Sequence, residues 1–229
     1  MEHANVPLSS MRIIHENCVP VNRSEARKEF EMTVYNVKKI ANASPCEADW
    51  SAAEVAEIAN APWAADYPAF YASAARLIDT KDSLFVRLES HEEDPVREVY
   101  DDWGEIWTDS CLEFFFMPDS RTGVYYNFEC NANAYMLVGK GAQRKPRERV
   151  TPKTGSRDFF DIKAEVIGGI WRVTYAIPKS FIGGIFEPRG NFYKCQERMP
   201  ERMHFQCWSD IKAEKPDFHR PECFGKIVF

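Results

Sequence analysis

The sequence predicts an all-β fold, a sandwich of two mainly antiparallel sheets with only short helical turns. Three observations carry this. Short runs rich in Phe, Tyr, Val and Ile recur at near-regular spacing between clusters of Gly, Pro, Asn, Asp and Ser. Pairs of such runs flank tight turn signals, as hairpins do. No stretch keeps a helical period for more than a turn or two.

The elements follow in order. Residues 10–40 alternate weakly, and Phe30 to Val37 reads as a strand. Asn42 to Pro45 is a turn. Trp50 to Asn60 is Ala/Glu-rich with Val55 and Ile58 at helical spacing; Pro62 limits it to one or two helical turns. Arg76-Leu-Ile and Leu84 to Glu89 flank Asp79-Thr-Lys-Asp-Ser, a hairpin. His91 to Asp102 is a charged loop. Trp107 to Asn131 is a second hairpin, two apolar runs around Pro-Asp-Ser-Arg-Thr-Gly. Gly139 to Arg157 reads as a loop without periodicity, its basic part 140–149 solvated. Phe159 to Val166 and Trp171 to Ile177 pair across Gly-Gly, and Pro178 opens a helical turn. Asn191 to Cys195, His204 to Trp208 and Lys226 to Phe229 complete the strands.

The central hairpin is the most informative segment. Side chains alternate between faces on a strand. Leu112, Phe114 and Phe116, with Val124, Tyr126 and Phe128 on the return, line a core together with Val86 and Val173. Glu113 then points the other way, beside Tyr125, Asn127 and Glu129, with Trp107 at the edge. Alternation also puts Arg87 on the polar side of its own strand, as a partner for Glu113. Carboxylates, an amide, a phenol and an indole are groups suited to a sugar. Its hydroxyls need donors and acceptors, and its C–H face needs an aromatic surface.

Composition bounds the classes. A chain of 229 residues, 45% hydrophobic and 28% charged, is of ordinary globular composition and is most simply one domain over 1–229, or two small ones. It can bury about 70–75% of its unfolded surface without disulfides or metals. The net charge of −6 with no basic stripe argues against nucleic acid as a partner. No run approaches the ~20 apolar residues of a membrane span. The start lacks a basic end and an apolar stretch, so the expected location is cytoplasmic, or secreted if a leader was removed. Seven Cys, an odd number without a CxxC pair, favour a reducing compartment, with Cys111 and Cys130 as packing residues.

The order of these pieces resembles carbohydrate-binding module family 9, a DOMON-like β-sandwich, from about Trp50 to the C-terminus. The pieces are Leu84-Phe-Val-Arg-Leu, Trp107 with Asp-Ser-Cys-Leu-Glu-Phe-Phe-Phe-Met-Pro-Asp, and Tyr125-Tyr-Asn-Phe-Glu-Cys-Asn. Then follow Trp171-Arg-Val-Thr-Tyr-Ala-Ile-Pro, Asn191-Phe-Tyr-Lys, Trp208-Ser-Asp and Asp217-Phe-His-Arg-Pro-Glu-Cys-Phe-Gly. The resemblance implies non-catalytic binding of a mono- or oligosaccharide, its terminal ring held between two aromatic side chains. Trp107 matches the first and Phe218 the second, where a family member carries Trp. Glu113 matches a binding glutamate. Glu129 falls where that member carries a binding arginine, which removes a bidentate donor and adds an acceptor. Family members also bind calcium in loops. Only Asp94 and Asp101-Asp102 stand out here, so no cofactor or metal is expected.

Each residue has a structural alternative. Trp107 can cap the core, and Phe218 can staple the C-terminal segment. Trp208 is a core or rim residue with a lesser claim on ligand. His219 with Arg220 pins the C-terminal loop. Two other functions compete with sugar binding. Glu113 and Glu129 on neighbouring strands are the residue types of a glycoside hydrolase pair, although no GxSxG, phosphate loop or Cys/His nucleophile pair accompanies them. A protein-interaction sandwich with a decayed sugar site is the other.

Overall fold

The structure, a computed structural model, describes residues 32–229. In chain order its strands are β1 (Val34–Asn36), β2 (Lys38–Lys39), β3 (Ala56–Glu57), β4 (Ser73–Asp79), β5 (Ser83–Ser90), β6 (Cys111–Met117) and β7 (Tyr125–Asn131). They continue with β8 (Met136–Gly141), β9 (Glu148–Arg149), β10 (Lys163–Ile167), β11 (Ile170–Pro178), β12 (Arg189–Gln196), β13 (His204–Cys207) and β14 (Gly225–Val228). Three short α-helices intervene, α1 (Glu47–Ser51), α2 (Ser156–Phe159) and α3 (Lys179–Ile182). One sheet runs β1-β14-β12-β6-β7-β8-β9, with β13 also paired to β12; the other runs β10-β11-β5-β4-β2, with β3 paired to β4. Pairing is antiparallel except at β1–β14 and β2–β4.

Alternation builds the core between the sheets. Strand β11 buries Trp171, Val173, Tyr175 and Ile177 and leaves the residues between them half-exposed. These pack with Val86 and Leu88 of β5 against Leu112, Phe114, Phe116, Tyr126 and Phe128 of β6 and β7. All the expected core residues are buried except Val124, which is half-buried and precedes β7. Fully burying each such side chain is worth about 1.5–3 kcal/mol. The predicted hairpin turns also form. The Thr80 N–H donates to the Ser83 carbonyl, and Gly123 closes the 118–124 turn with φ +66°, a region glycine enters at little cost.

The outer face of β6 departs from the sequence reading. Every residue of β6 and β7 is buried. A second apolar layer, including Trp63, Phe115, Tyr125, Tyr193, Phe205, Phe224 and part of Phe218, covers that face. The polar groups of the hairpin therefore lie in an enclosed setting and not on an open sheet.

Local expectations need four corrections. The helical turn sits earlier, at Glu47–Ser51, where Asp49 accepts from the Cys46 N–H and caps it. Residues 56–57 join the sheet as β3, because Ala56 and Ile58 have a buried face to fill. The stretch 139–157 is no plain loop. It carries the end of β8, then β9, which pairs Gly139 with Arg149 and Lys140 with Glu148. The strand expected from Phe159 starts at Lys163, after α2. Of the strand expected over Phe30–Val37, residues 34–36 form β1, while Phe30 and Glu31 lie outside the described residues.

Candidate functional site

On the outer face of β6 and β7 lies a cavity of about 520 Å³. Trp107, Glu113, Asn127, Glu129 and Phe218 all line it, so five of the seven candidate residues come together. Register explains the floor: Glu113 stands directly opposite Glu129, and Asn127 is two residues from Glu129 on the same face. The walls come from loops. Asp109, buried, accepts from the Glu98 and Val99 N–H groups and from Asn131 and Arg198, which fixes the segment carrying Trp107. Phe218 is stacked on Tyr193 with ring centroids 4.2 Å apart and planes 7° from parallel. The Phe218 carbonyl accepts from the Tyr193 hydroxyl at 3.0 Å.

The floor is a hydrogen-bonded chain. The Asn127 amide donates to Glu129 Oε1 at 2.7 Å, and its oxygen accepts from Arg147 Nη2 at 2.6 Å and Nε at 3.0 Å. The Arg147 guanidinium lies 4.2 Å over the Tyr125 ring. The Tyr125 hydroxyl meets His219 Nδ1 at 2.9 Å, which ties the basic segment to the C-terminal loop. Glu129 Oε2 is buried without a hydrogen-bond partner. Glu113 accepts from the Cys195 thiol at 3.1 Å.

Burial sets the charge state of these groups. It raises Glu113 well above the ordinary carboxylate range, and Cys195 and Glu129 add to the effect. Burial lifts Glu129 to about 7, against the opposing pull of Asn127, Arg147 and Arg149. It also raises Glu197, another lining residue. His219 is pushed down to about 3 by burial and by Arg147 and Arg144. The floor is thus held toward neutral carboxyls that both donate and accept, beneath a basic wall.

Two candidates lie elsewhere. Arg87 is on β5 of the opposite sheet and makes a bidentate pair with Glu47, at 2.6 and 2.9 Å, over the Trp50 ring at 4.4 Å. It is not Glu113's partner, because alternation fixes a face within a strand but not which sheet two strands share. Trp208 is a core residue, edge-to-face with Tyr35 and Phe192. Its indole fills the space where a Gly225 Cβ would stand, 2.5 Å away. His219 does pin the C-terminal loop, through Tyr125, while also lining the cavity.

Among the lining residues missed, the basic ones stand out, beside Cys195, Glu197 and Phe205. Arg144, Lys145, Arg147 and Arg149 line the cavity, where a solvated loop was expected. Arg144 pairs with Asp217 at 3.1 Å. Arg149 donates to the Trp103 carbonyl. A signal was present: Lys145, Arg147 and Arg149 recur at a spacing of two, which puts them on one side of an extended segment. These cations bear on the departure at Glu129, since a guanidinium reaches the floor from the neighbouring segment.

Comparison with known proteins agrees with the fold. A family model described as carbohydrate-binding family 9 matches residues 43–229. A solved structure from Bacteroides uniformis, provisionally assigned as a carbohydrate-binding protein, is 27% identical. It superposes with a TM-score of 0.74 over 86% of this chain and 98% of its own. A family 9 module from Caldicellulosiruptor kristjanssonii, solved with glucose, is 14% identical with a TM-score of 0.56, over 86% of this chain and 95% of its own. The same organism's family 9 module solved with cellotriose gives 12% and 0.57, over 86% and 93%. The last two share the fold. A search of curated proteins finds no match.

Proposed function

The chain belongs to carbohydrate-binding family 9, and from that premise we propose that its cavity holds a mono- or oligosaccharide without cleaving it. The observation that carries the reading is the cavity's content. Trp107 and Phe218 on two connecting segments and the acids Glu113 and Glu129 line one cavity, and a partnerless carboxyl oxygen, Glu129 Oε2, is buried in its floor. A turn of the Glu129 carboxyl that brings Oε2 to the cavity lets a sugar hydroxyl donate to it and relieves a buried unsatisfied group, a defect worth about 1–3 kcal/mol. Trp107 and Phe218 take the ring's apolar faces, each Å2 removed from water contributing about 25 cal/mol before binding costs. Arg147, whose N–H groups are taken by Asn127, Tyr125, Gly141 and Gln143, brings a guanidinium charge to the floor where the family arginine would stand.

The paired acids do not favour hydrolysis. Glu113 and Glu129 are direct cross-strand neighbours, whose Cβ atoms stand about 4.5–5.5 Å apart on one face. A glycosidase pair flanks the scissile bond from two sides, and these two share one floor beneath it.

Titration calorimetry tests the reading, beginning with glucose and cellotriose, the ligands of the Caldicellulosiruptor modules, then acidic sugars. Saturable heat from at least one sugar is expected, with no sugar released from cellotriose. Silence across the panel from folded protein would reject the binding reading. Release of sugar that stops in Glu113→Gln would reject the non-catalytic one.

A further inference from the structure

We infer that Cys111, Cys195 and Glu113 form a binding site for a soft divalent cation, with zinc the fitting ion, in the wall of β6 and β12 beneath the cavity. Cys111 and Cys195 stand directly opposite each other on these two strands. Glu113 is two residues from Cys111, so its side chain leaves the sheet on the same face. One ligand atom from each residue lies within 4.8 Å of the other two. All three residues are almost sealed from bulk solvent, at 0%, 1% and 2% exposure, yet Glu113 and Cys195 reach the cavity lining.

A second observation is independent of that convergence. Glu113 is a buried carboxyl that forms no ion pair among the described residues, and its hydrogen-bond partner is a thiol. The contrast is Glu92, equally buried, which has both Lys194 and Arg202. A buried carboxyl is normally paired with a cation, bound to a metal or, as Glu113 is without an ion, held toward its neutral form. Here the surroundings offer two sulfurs in place of an arginine or lysine.

The donor set selects the ion. Calcium and magnesium take oxygen ligands, whereas zinc accepts thiolate and carboxylate together. With Zn–S of about 2.3 Å and Zn–O of about 2.1 Å, a tetrahedral ion needs S···S and S···O edges of roughly 3.8 and 3.6 Å. The 3.1 Å contact between Cys195 Sγ and Glu113 Oε1 has to open by about half an ångström. Binding expels the two thiol protons, and that of Glu113 where it is protonated, and the metal takes their place. Three protein ligands leave a fourth position for water, on the cavity side. The sequence hides this set because its two cysteines lie on separate strands and form no CxxC.

The test uses the full chain, reduced with a phosphine, and needs no sugar, so it succeeds or fails apart from the sugar reading. Cobalt(II) titration should produce a thiolate-to-metal charge-transfer band in the near ultraviolet, saturating at one equivalent and erased by zinc. Cys111→Ser and Cys195→Ser should each abolish it. Replacing Cys18, Cys46 and Cys223 together by Ser should leave it intact. X-ray absorption at the zinc edge of the wild-type protein reads the ligand shell without any variant, and two sulfurs are expected. The inference is overturned by a folded, reduced protein that gives no band, by a band that survives in a folded Cys111→Ser protein, or by a shell with none or four sulfurs. A Cys111–Cys195 disulfide forming in place of zinc uptake, when oxidised glutathione and zinc are supplied together, would also overturn it.

Discussion

Trp107 is half-buried at the rim of the cavity, and its ring joins none of the aromatic pairs that knit the described residues together. Its backbone carbonyl accepts from the Cys195 thiol, while its indole packs only partly against the outer apolar layer. Trp107→Ala should therefore weaken sugar binding by about 2 kcal/mol, roughly 30-fold, as truncation of an aromatic hot spot does. Its melting temperature should stay close to wild type. Calorimetry beside a thermal melt checks both. A large fall in melting temperature with affinity intact would make the indole a core residue. Arg87 is the converse. Its guanidinium is committed to Glu47 and to the Trp50 face on the opposite sheet, and its long stem is buried. Arg87→Ala should lower stability by about 1–3 kcal/mol in urea unfolding, through loss of the charge-assisted bonds and ring contact, and leave sugar affinity unchanged.

The strands β7, β8 and β9 turn a hairpin into a site. Asn127 of β7 stands opposite Gly139 of β8, and Gly139 stands opposite Arg149 of β9. A Cβ on Gly139 would meet Asn127 Oδ1 at 2.4 Å, so the amide occupies space that only glycine leaves open. That amide is also the link between Glu129 and Arg147. Gly139→Ala should push it aside and break the chain. The expected outcome is at least a tenfold loss of sugar affinity from a protein that still folds, measured by calorimetry and circular dichroism. Unchanged affinity would mean that the Asn127–Arg147 link does not matter for binding. This element also marks where the sequence stops being readable. The β6–β7 hairpin was legible apart from its ends, where Val124 falls outside β7, because its two faces differ in polarity and register follows from alternation. The partner strand β9 was not, because two residues among Lys, Arg and Pro carry no apolar period. The α1 and β3 boundaries were misread for a similar reason, since a five-residue helix and a two-residue strand are set by tertiary contacts and not by propensity.

Across the whole molecule, alternation tells which face a side chain takes but not which sheet its strand joins. That is why Glu113, Asn127 and Glu129 were found together while Arg87 was not, and why Phe218 came from the family resemblance and not from the strand pattern. It is also why a buried ionic cluster joining the sheets could not be foreseen. Lys194 of β12 meets Glu92 Oε2 at 2.9 Å and His204 Nε2 at 2.9 Å, and Trp171 of the opposite sheet donates to the same carboxylate. Arg202 and Ser110 complete the carboxylate's partners, and the His204 ring lies against Tyr71. His204 Nδ1 bonds to the Arg202 carbonyl at 2.7 Å, so Nδ1 carries the proton and Nε2 accepts from Lys194. An imidazolium there would face an ammonium, and burial together with Lys194 pushes the histidine down to about 3. Because this lies below the unfolded value near 6.5, the histidine's contribution to stability is complete above pH 6.5 and is lost as pH falls toward 3. By pH 5 the loss from His204 is on the order of 2 kcal/mol. His219 acts in the same direction, whereas Glu113 and Glu129, raised by burial, act in the opposite one. The informative quantity is therefore a difference between two proteins. In His204→Gln the amide can still donate to the Arg202 carbonyl or accept from Lys194, and it does not titrate. Urea unfolding at pH 7 and pH 5 should show the wild type losing roughly 2 kcal/mol more than the variant, while His219 and the acids cancel. Equal losses in the two proteins would mean that His204 takes up its proton in the folded state as readily as in the unfolded chain.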